Sequence, residues 1–256
     1  MQFDVSKPNV ARVYDYLLGG KNNFGADRDE AERILAVYPE LAQRVRENRA
    51  FLGRAVSMLA GAGIAQFLDL GPGLPTAAST HEVAQSVNSG SRVVYVDNDP
   101  VVVLHAQALL EGPNVTAVTG DIADPAAVLA RPEVTALIRP DEPLAVIMAS
   151  VLHFFDAETV KRIIAGYMGT AVPGSYVVAS VAWTDHTMRP QLAHEYTAAS
   201  FWNYSPDDLR DFLAGLEIVD PPGIADARHW TAGQAAQPVR DLVRMIAAVA
   251  RKPEPG

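Results

Sequence analysis

The chain has 256 residues, 49% of them hydrophobic and 20% charged, enough for one α/β domain with extensions and a sizeable core, and too apolar for disorder. Its formal net charge of −9 argues against a broad nucleic-acid surface, which needs clustered Lys and Arg to displace counterions. There is no cysteine, so disulfides, thiolate metal sites and cysteine nucleophiles are excluded.

The opening MQFDVSKPNV has no apolar signal core, and no stretch reaches the ~18 apolar residues of a membrane helix, so no membrane partner and a cytoplasmic location are expected. Residues 9–60 read as helices. Val10, Val13, Tyr14 and Leu17 recur at helical spacing, and Gly19-Gly20 stops the turn. After the polar loop KNNFGADRD, Asp27 is a candidate cap for a second helix with Ala31, Ile34 and Leu35 on its inner face. Pro39 breaks that helix, and a third follows with Leu41, Val45, Phe51, Leu52 and Val56 inside.

Beyond Gly61 and Gly63 the pattern changes. Short apolar runs at 64–70, 93–96, 115–118, 144–149 and 176–181 alternate with helical stretches near 75–88, 99–111, 124–130 and 156–171. Such runs are parallel strands with helices on both faces, and right-handed crossovers make the topology a doubly wound sheet. Pro132, Pro140 and Pro143 mark a surface loop before the fourth run. Residues 183–215 read as a helical insertion rich in aromatics and histidine. Two more candidate strands follow at 216–220 and 245–250. The second, MIAAVA, is ambiguous because Ala favours helix.

The first strand runs into Gly71-Pro72-Gly73-Leu74-Pro75-Thr76. In an open parallel sheet this is where a ligand sits. The glycines let backbone come close to it, while a third glycine is missing and Pro75 removes a backbone donor that a pyrophosphate would use. The second strand ends at Asp97-Asn98, where a carboxylate can accept both hydroxyls of a ribose. The third ends at Asp121-Ile122, which suits an adenine amino group and ring. Asp69, just inside the loop, can accept from an ammonium. With Ser150 after the fourth strand, these residues describe a site for S-adenosylmethionine, and Asp69, Asp97 and Asp121 are expected to converge on one nucleoside-sized hollow.

The series FLDLGPG, VVYVDNDP, VTGDI, AVIMASVLHFF and MIAAVARKP resembles the class I S-adenosylmethionine-dependent methyltransferases. The block PNVARVYDYLLGGKNNFGADRDEAERI with NRAFLGRAV resembles, more narrowly, the actinobacterial S-adenosyl methyltransferase family, formerly a domain of unknown function. The resemblance implies a Rossmann-like seven-stranded, mostly parallel sheet whose last strand, MIAAVA, is antiparallel. It implies an N-terminal helical segment, residues 1–60, covering the cofactor of a methyltransferase domain at 61–252. In that picture Tyr14, Asn22 and Asn23 help close the pocket.

His153 follows the fourth strand and is a candidate general base, with a packing histidine as the plainer reading. Asp185, His186, His194 and Tyr196 lack compact metal-ligand spacing, so no metal is expected. Phe201, Trp202 and Tyr204 read as a hydrophobic plug, and Ser205 with Pro206 and Asp208 as a helix cap. The reading is a methyltransferase acting on a small-molecule acceptor. A module that binds S-adenosylmethionine or S-adenosylhomocysteine without catalysis is an alternative, and an NAD-dependent oxidoreductase a weaker one. No pattern selects an oligomeric state.

Overall fold

A computed structural model describes residues 4–75, 78–110, 112–184, 197–239 and 241–254. Its centre is an eight-stranded sheet. The parallel strands are β1 (Gln66–Leu70), β2 (Arg92–Asp97), β3 (Val115–Thr119), β4 (Ala145–Ala149) and β5 (Tyr176–Thr184). β6 (Glu217–Ile218), β7 (Ala225–Asp226) and β8 (Val243–Arg251) complete it in the order β3-β2-β1-β4-β5-β8-β6, with β7 also paired to β8. β8 is antiparallel to β5, so MIAAVA is strand, as the resemblance implied. The eighth strand is β7, two residues long, which no sequence pattern marked.

Strand alternation sorts the core into two faces. Leu68, Leu70, Val94, Val96, Val146 and Met148 pack toward α8 (Ala157–Thr170) and its neighbours. Phe67, Val93, Tyr95, Ala145 and Ile147 pack toward α3 (Leu41–Gly61), which contributes Phe51, Leu52, Ala55, Val56 and Leu59. Asp69 pairs in register with Tyr95, and Asp97 falls two residues further along β2, so both carboxylates belong to the α3 face.

The helices begin where local chemistry tells them to. Asp99 caps α5 (Pro100–Leu109) with Pro100 in the first turn, Asp156 caps α8, and Ser205 with Asp208 forms the capping box of α9 (Pro206–Phe212). Asp27 does not cap α2 (Gly25–Val37). It sits at the third helical position and its carboxylate reaches back to the Phe24 N–H. Pro132 opens a short helix, α7 (Pro132–Leu137), where the prolines suggested only loop. Around these lie α4 (Thr80–Val87) and α6 (Pro125–Leu129). Among the described residues the expected helical insertion is helical in α9: β5 runs on through Thr184 and residues 197–204 form no helix or strand, while 185–196, with Asp185, His186, His194 and Tyr196, lie outside the described residues.

Ahead of the sheet, α1 (Val10–Leu17) and α2 form a third cluster, Val13, Leu17, Ala31, Ile34 and Tyr38, sealed onto Val45 of α3 and Val243 of β8. α1 thereby lies across the carboxyl edge of the sheet. Among the described residues no helix is long and apolar enough to cross a membrane.

Candidate active site

The loops after β1, β2, β3 and β4 leave the sheet side by side, at the edge where the strand order reverses. Together with α1, α3 and residues 198–201 they enclose a cavity of about 450 Å³, the size of a small-molecule site. Its lining includes a polar group, Asn9, Asp97, Asn98 and Asp99, and an apolar group, Leu17, Leu41, Val45, Phe154, Phe201 and Met245.

The turn after β1 is shaped for close approach. Gly71 and Gly73 have φ of 69° and 68°, and a Cβ on Gly71 would lie 2.6 Å from Val151 Cγ2. The Gly73 N–H donates to Asp97 Oδ2 at 3.3 Å, and the Asp99 N–H donates to Oδ1 at 2.9 Å. Burial is the main cause that pushes the Asp97 carboxyl up to about 6. Ser150 has φ of 61°, and its N–H donates to Ser180 O and Oγ, both at 3.0 Å. The Ser180 hydroxyl donates to Asn48 Oδ1 at 2.6 Å, and Asn48 Nδ2 donates to the Tyr14 hydroxyl at 3.2 Å. A polar chain thus ties the β4 tip through β5 and α3 to α1. Burial raises the Tyr14 pKa.

Of the expected site residues, Tyr14, Gly71, Gly73, Asp97, Asn98, Ile122, Ser150 and His153 line the cavity. The expected convergence of three carboxylates is corrected. Asp97 is the one that lines it. Asp69 is buried beneath the loop and accepts from the Thr80 hydroxyl at 2.6 Å, and burial pushes its pKa up to about 6. Asp121 is exposed and turns back to accept from the Ala123 N–H at 2.9 Å, closing a tight local turn. Asn22 and Asn23 also lie outside the lining. The Asn22 N–H and Asn23 Nδ2 each donate to Asp15 Oδ2 at 2.9 Å, so the GGKNNF loop is folded around a buried carboxylate of α1.

The sequence reading missed Arg49, Asn9, Asn48 and Asp99, all in the lining. Asp99 caps α5 through one oxygen, and its second accepts from Asn9 Nδ2 at 2.8 Å and so clips the start of α1 to the β2 loop. Arg49 of α3 reaches toward Asp69 and Tyr14, whose pKa values its charge lowers.

The chain matches, over residues 1–253, the family described as S-adenosyl methyltransferase. It belongs to that family. A candidate methyltransferase from Thermobifida fusca YX is 39% identical, with 98% of this chain and 97% of that one covered and a TM-score of 0.88. A DUF574-family protein from Streptomyces avermitilis MA-4680 is 35% identical, with 98% and 100% covered and the same TM-score of 0.88. The N-methyltransferase NodS from Bradyrhizobium japonicum WM9, 17% identical over 82% of this chain and 96% of that one, has a TM-score of 0.51 and shows the fold alone. Comparison with curated proteins gives no match. Membership makes the chain an enzyme, an S-adenosylmethionine-dependent methyltransferase.

The cavity fits that cofactor. The side-chain-free approach at Gly71, the inward carboxylate at Asp97 and the buried apolar face of Ile122 suit a backbone-cradled nucleoside. A pyrophosphate fits less well, since Pro72 and Pro75 remove backbone donors from this turn.

Proposed function

We propose that the chain transfers a methyl group to a small, largely apolar molecule bound in the same cavity as the cofactor. The observation that carries this is that one lining combines polar side chains around Asp97 with the apolar side chains Leu41, Val45, Phe201 and Met245. When bound, S-adenosylmethionine supplies a methyl carbon already activated by the sulfonium charge. Asp97 accepts from the ribose hydroxyls, Ile122 covers the adenine, and Gly71 and Gly73 let the backbone close in. Arg49, beside Asp69, supplies a cation for the carboxylate end of the amino-acid portion. Asp121 is kept as an adenine contact only through rotation away from its own turn.

What the protein contributes to rate is alignment and exclusion of water, which is worth roughly 7–11 kcal/mol of barrier when two reactants are held in line. α1 closes the cavity over both ligands, so the covering segment and the sheet act as one site. A nucleic-acid acceptor fits poorly, since among the described residues Arg49 is the one lysine or arginine in the lining, and the net charge is −9.

Calorimetric titration with S-adenosylhomocysteine, S-adenosylmethionine and NAD, followed by turnover of methyl-labelled donor against cell extract, tests the reading. Binding of the first two, none of NAD, and label in a small extractable product are expected. Binding without transfer would favour a cofactor-sensing module, and NAD binding an oxidoreductase.

A further inference from the structure

Within the cavity, one polar side chain has a role that burial and geometry define. His153 sits in a single 3-10 turn, Leu152–Phe154, directly after β4, and is only 4% exposed. The Ala182 N–H of β5 donates to its Nδ1 at 3.3 Å. That bond fixes the tautomer: Nδ1 is the acceptor, so the ring proton is on Nε2. Among the described residues Nε2 meets no hydrogen-bond partner, and the ring lines the cavity. It is held there from both sides. Its centroid is 4.5 Å from Phe154 and 4.9 Å from Phe201, and its backbone carbonyl accepts from the Trp202 N–H at 2.8 Å. The Tyr204 hydroxyl donates to Phe155 O at 2.6 Å and fastens the same strap.

We infer that His153 is a fixed hydrogen-bond donor to the methyl acceptor, and that the acceptor is a planar, apolar molecule with a carbonyl or similar lone pair placed against the Phe154 and Phe201 rings. This rests on the cavity being the acceptor's site. The expected general base is corrected by the same geometry. The nitrogen that would have to take a proton already accepts from β5, and burial, the sole cause, pushes the imidazole down to about 3. A lone pair that accepts from Nε2 is not free to attack a methyl carbon. The bond therefore goes to a lone pair other than the attacking one, on the same oxygen or on a second acceptor atom, and the imidazole neither gains nor loses a proton during transfer. The surroundings agree: Leu41, Val45 and Met245 offer such a molecule no charge, and Nε2–H offers it one directed bond.

Two measurements test this. Long-range proton–nitrogen NMR of nitrogen-15-histidine protein, free and saturated with S-adenosylhomocysteine, is expected to show His153 as the Nε2–H tautomer with no titration between about pH 5.5 and 8. An Nδ1–H tautomer, or a midpoint in that range, overturns the proposal. The second compares acetophenone with α-methylstyrene, which replaces the carbonyl oxygen by a methylene group, keeps the sp2 centre and has no lone pair. About tenfold tighter binding of acetophenone is expected in wild type, with the difference abolished in His153→Phe and partly restored in His153→Gln, which keeps an N–H donor. Equal binding of the two probes to wild type, or binding of neither, overturns it. Failure of S-adenosylhomocysteine to bind would instead count against the proposed function, while the tautomer of the free protein still decides the donor geometry.

Discussion

Asp69 and Asp97 lie at the ends of neighbouring strands, and burial holds both carboxyls near pKa 6, well above the ordinary aspartate value of 3.8. For Asp69 the consequence is a stability cost at neutral pH. Folding raises its pKa, so the folded chain holds the proton more tightly than the unfolded one. That contribution is complete below pH 3.8 and is lost as pH rises through about 6. Asp69→Asn keeps an oxygen for the Thr80 hydroxyl and removes the buried charge. It is expected to raise the melting temperature at pH 7.5, by up to about 3 kcal/mol in stability, and to change little at pH 4. Equal effects at both pH values in thermal melts would refute the assignment. Asp97 is constrained differently, because both its oxygens already accept from backbone N–H groups of the loop. Its proposed ribose bonds favour the ionised form, so ligand binding should lower its pKa and release a proton near pH 6. S-adenosylhomocysteine affinity should therefore fall as pH drops through about 6, and calorimetry in buffers of different ionisation enthalpy should register the proton.

α1 is an eight-residue helix, too short to persist alone, and a buried ion pair ties it to α2. Arg12 Nε donates to Asp27 Oδ2 at 2.7 Å, with the two side chains 4% and 0% exposed, and Asp27 also accepts from the N–H groups of Asn9 and Phe24. Asp27→Ala removes the buried carboxylate that pairs with Arg12, a loss of about 3–5 kcal/mol for a buried pair. Because α1 can undock, the expected outcome is local: hydrogen-exchange protection over residues 9–20 collapses, S-adenosylhomocysteine affinity falls by about tenfold or more, and the sheet stays protected. Uniform loss of protection would show that α1 does not open independently. The elements themselves differ in how far the sequence declares them. β1 to β5 are continuous apolar runs, and Ser205-Pro206 carries its own cap chemistry, so both are legible. β7 has two residues and exists because β8 is beside it, and α7 hides behind prolines that also open helices. Asp121 shows the limit at the site: a ligand contact at a strand end and a turn residue are both readings its sequence allows, and only the folded structure shows it accepting from its own Ala123 N–H. Arg49 reads as any solvated arginine on an amphipathic helix until tertiary packing puts it beside Asp69.

At the scale of the molecule, the covering segment and the sheet meet along α3, and α3 belongs to the sheet. Phe51, Ala55, Val56 and Leu59 are fully buried in the same cluster as Phe67 and Ile147, and Phe51 meets Trp230 edge-on at 5.3 Å. Arg54 adds bonds from α3 to the carbonyls of Ala227 and Trp230. α1 and α2, by contrast, share one apolar cluster completed by Val45 and Val243, and reach the rest of the molecule through polar bonds such as Asn9–Asp99 and Tyr14–Asn48. A covering unit that ends near residue 40 therefore suits the packing better than one that ends at 60. A chain beginning at residue 41 should fold with a cooperative melt, lowered by the newly exposed Val45 and Val243, and should bind no S-adenosylhomocysteine, because the cavity has lost Asn9, Val10 and Tyr14. A chain beginning at residue 62 removes several fully buried large side chains, each worth about 1.5–3 kcal/mol of burial, and should not fold at all against a total stability of only about 5–15 kcal/mol. Circular-dichroism melts and calorimetry on both truncations decide it: wild-type affinity in the first would mean that the helical cover plays no part in holding the cofactor.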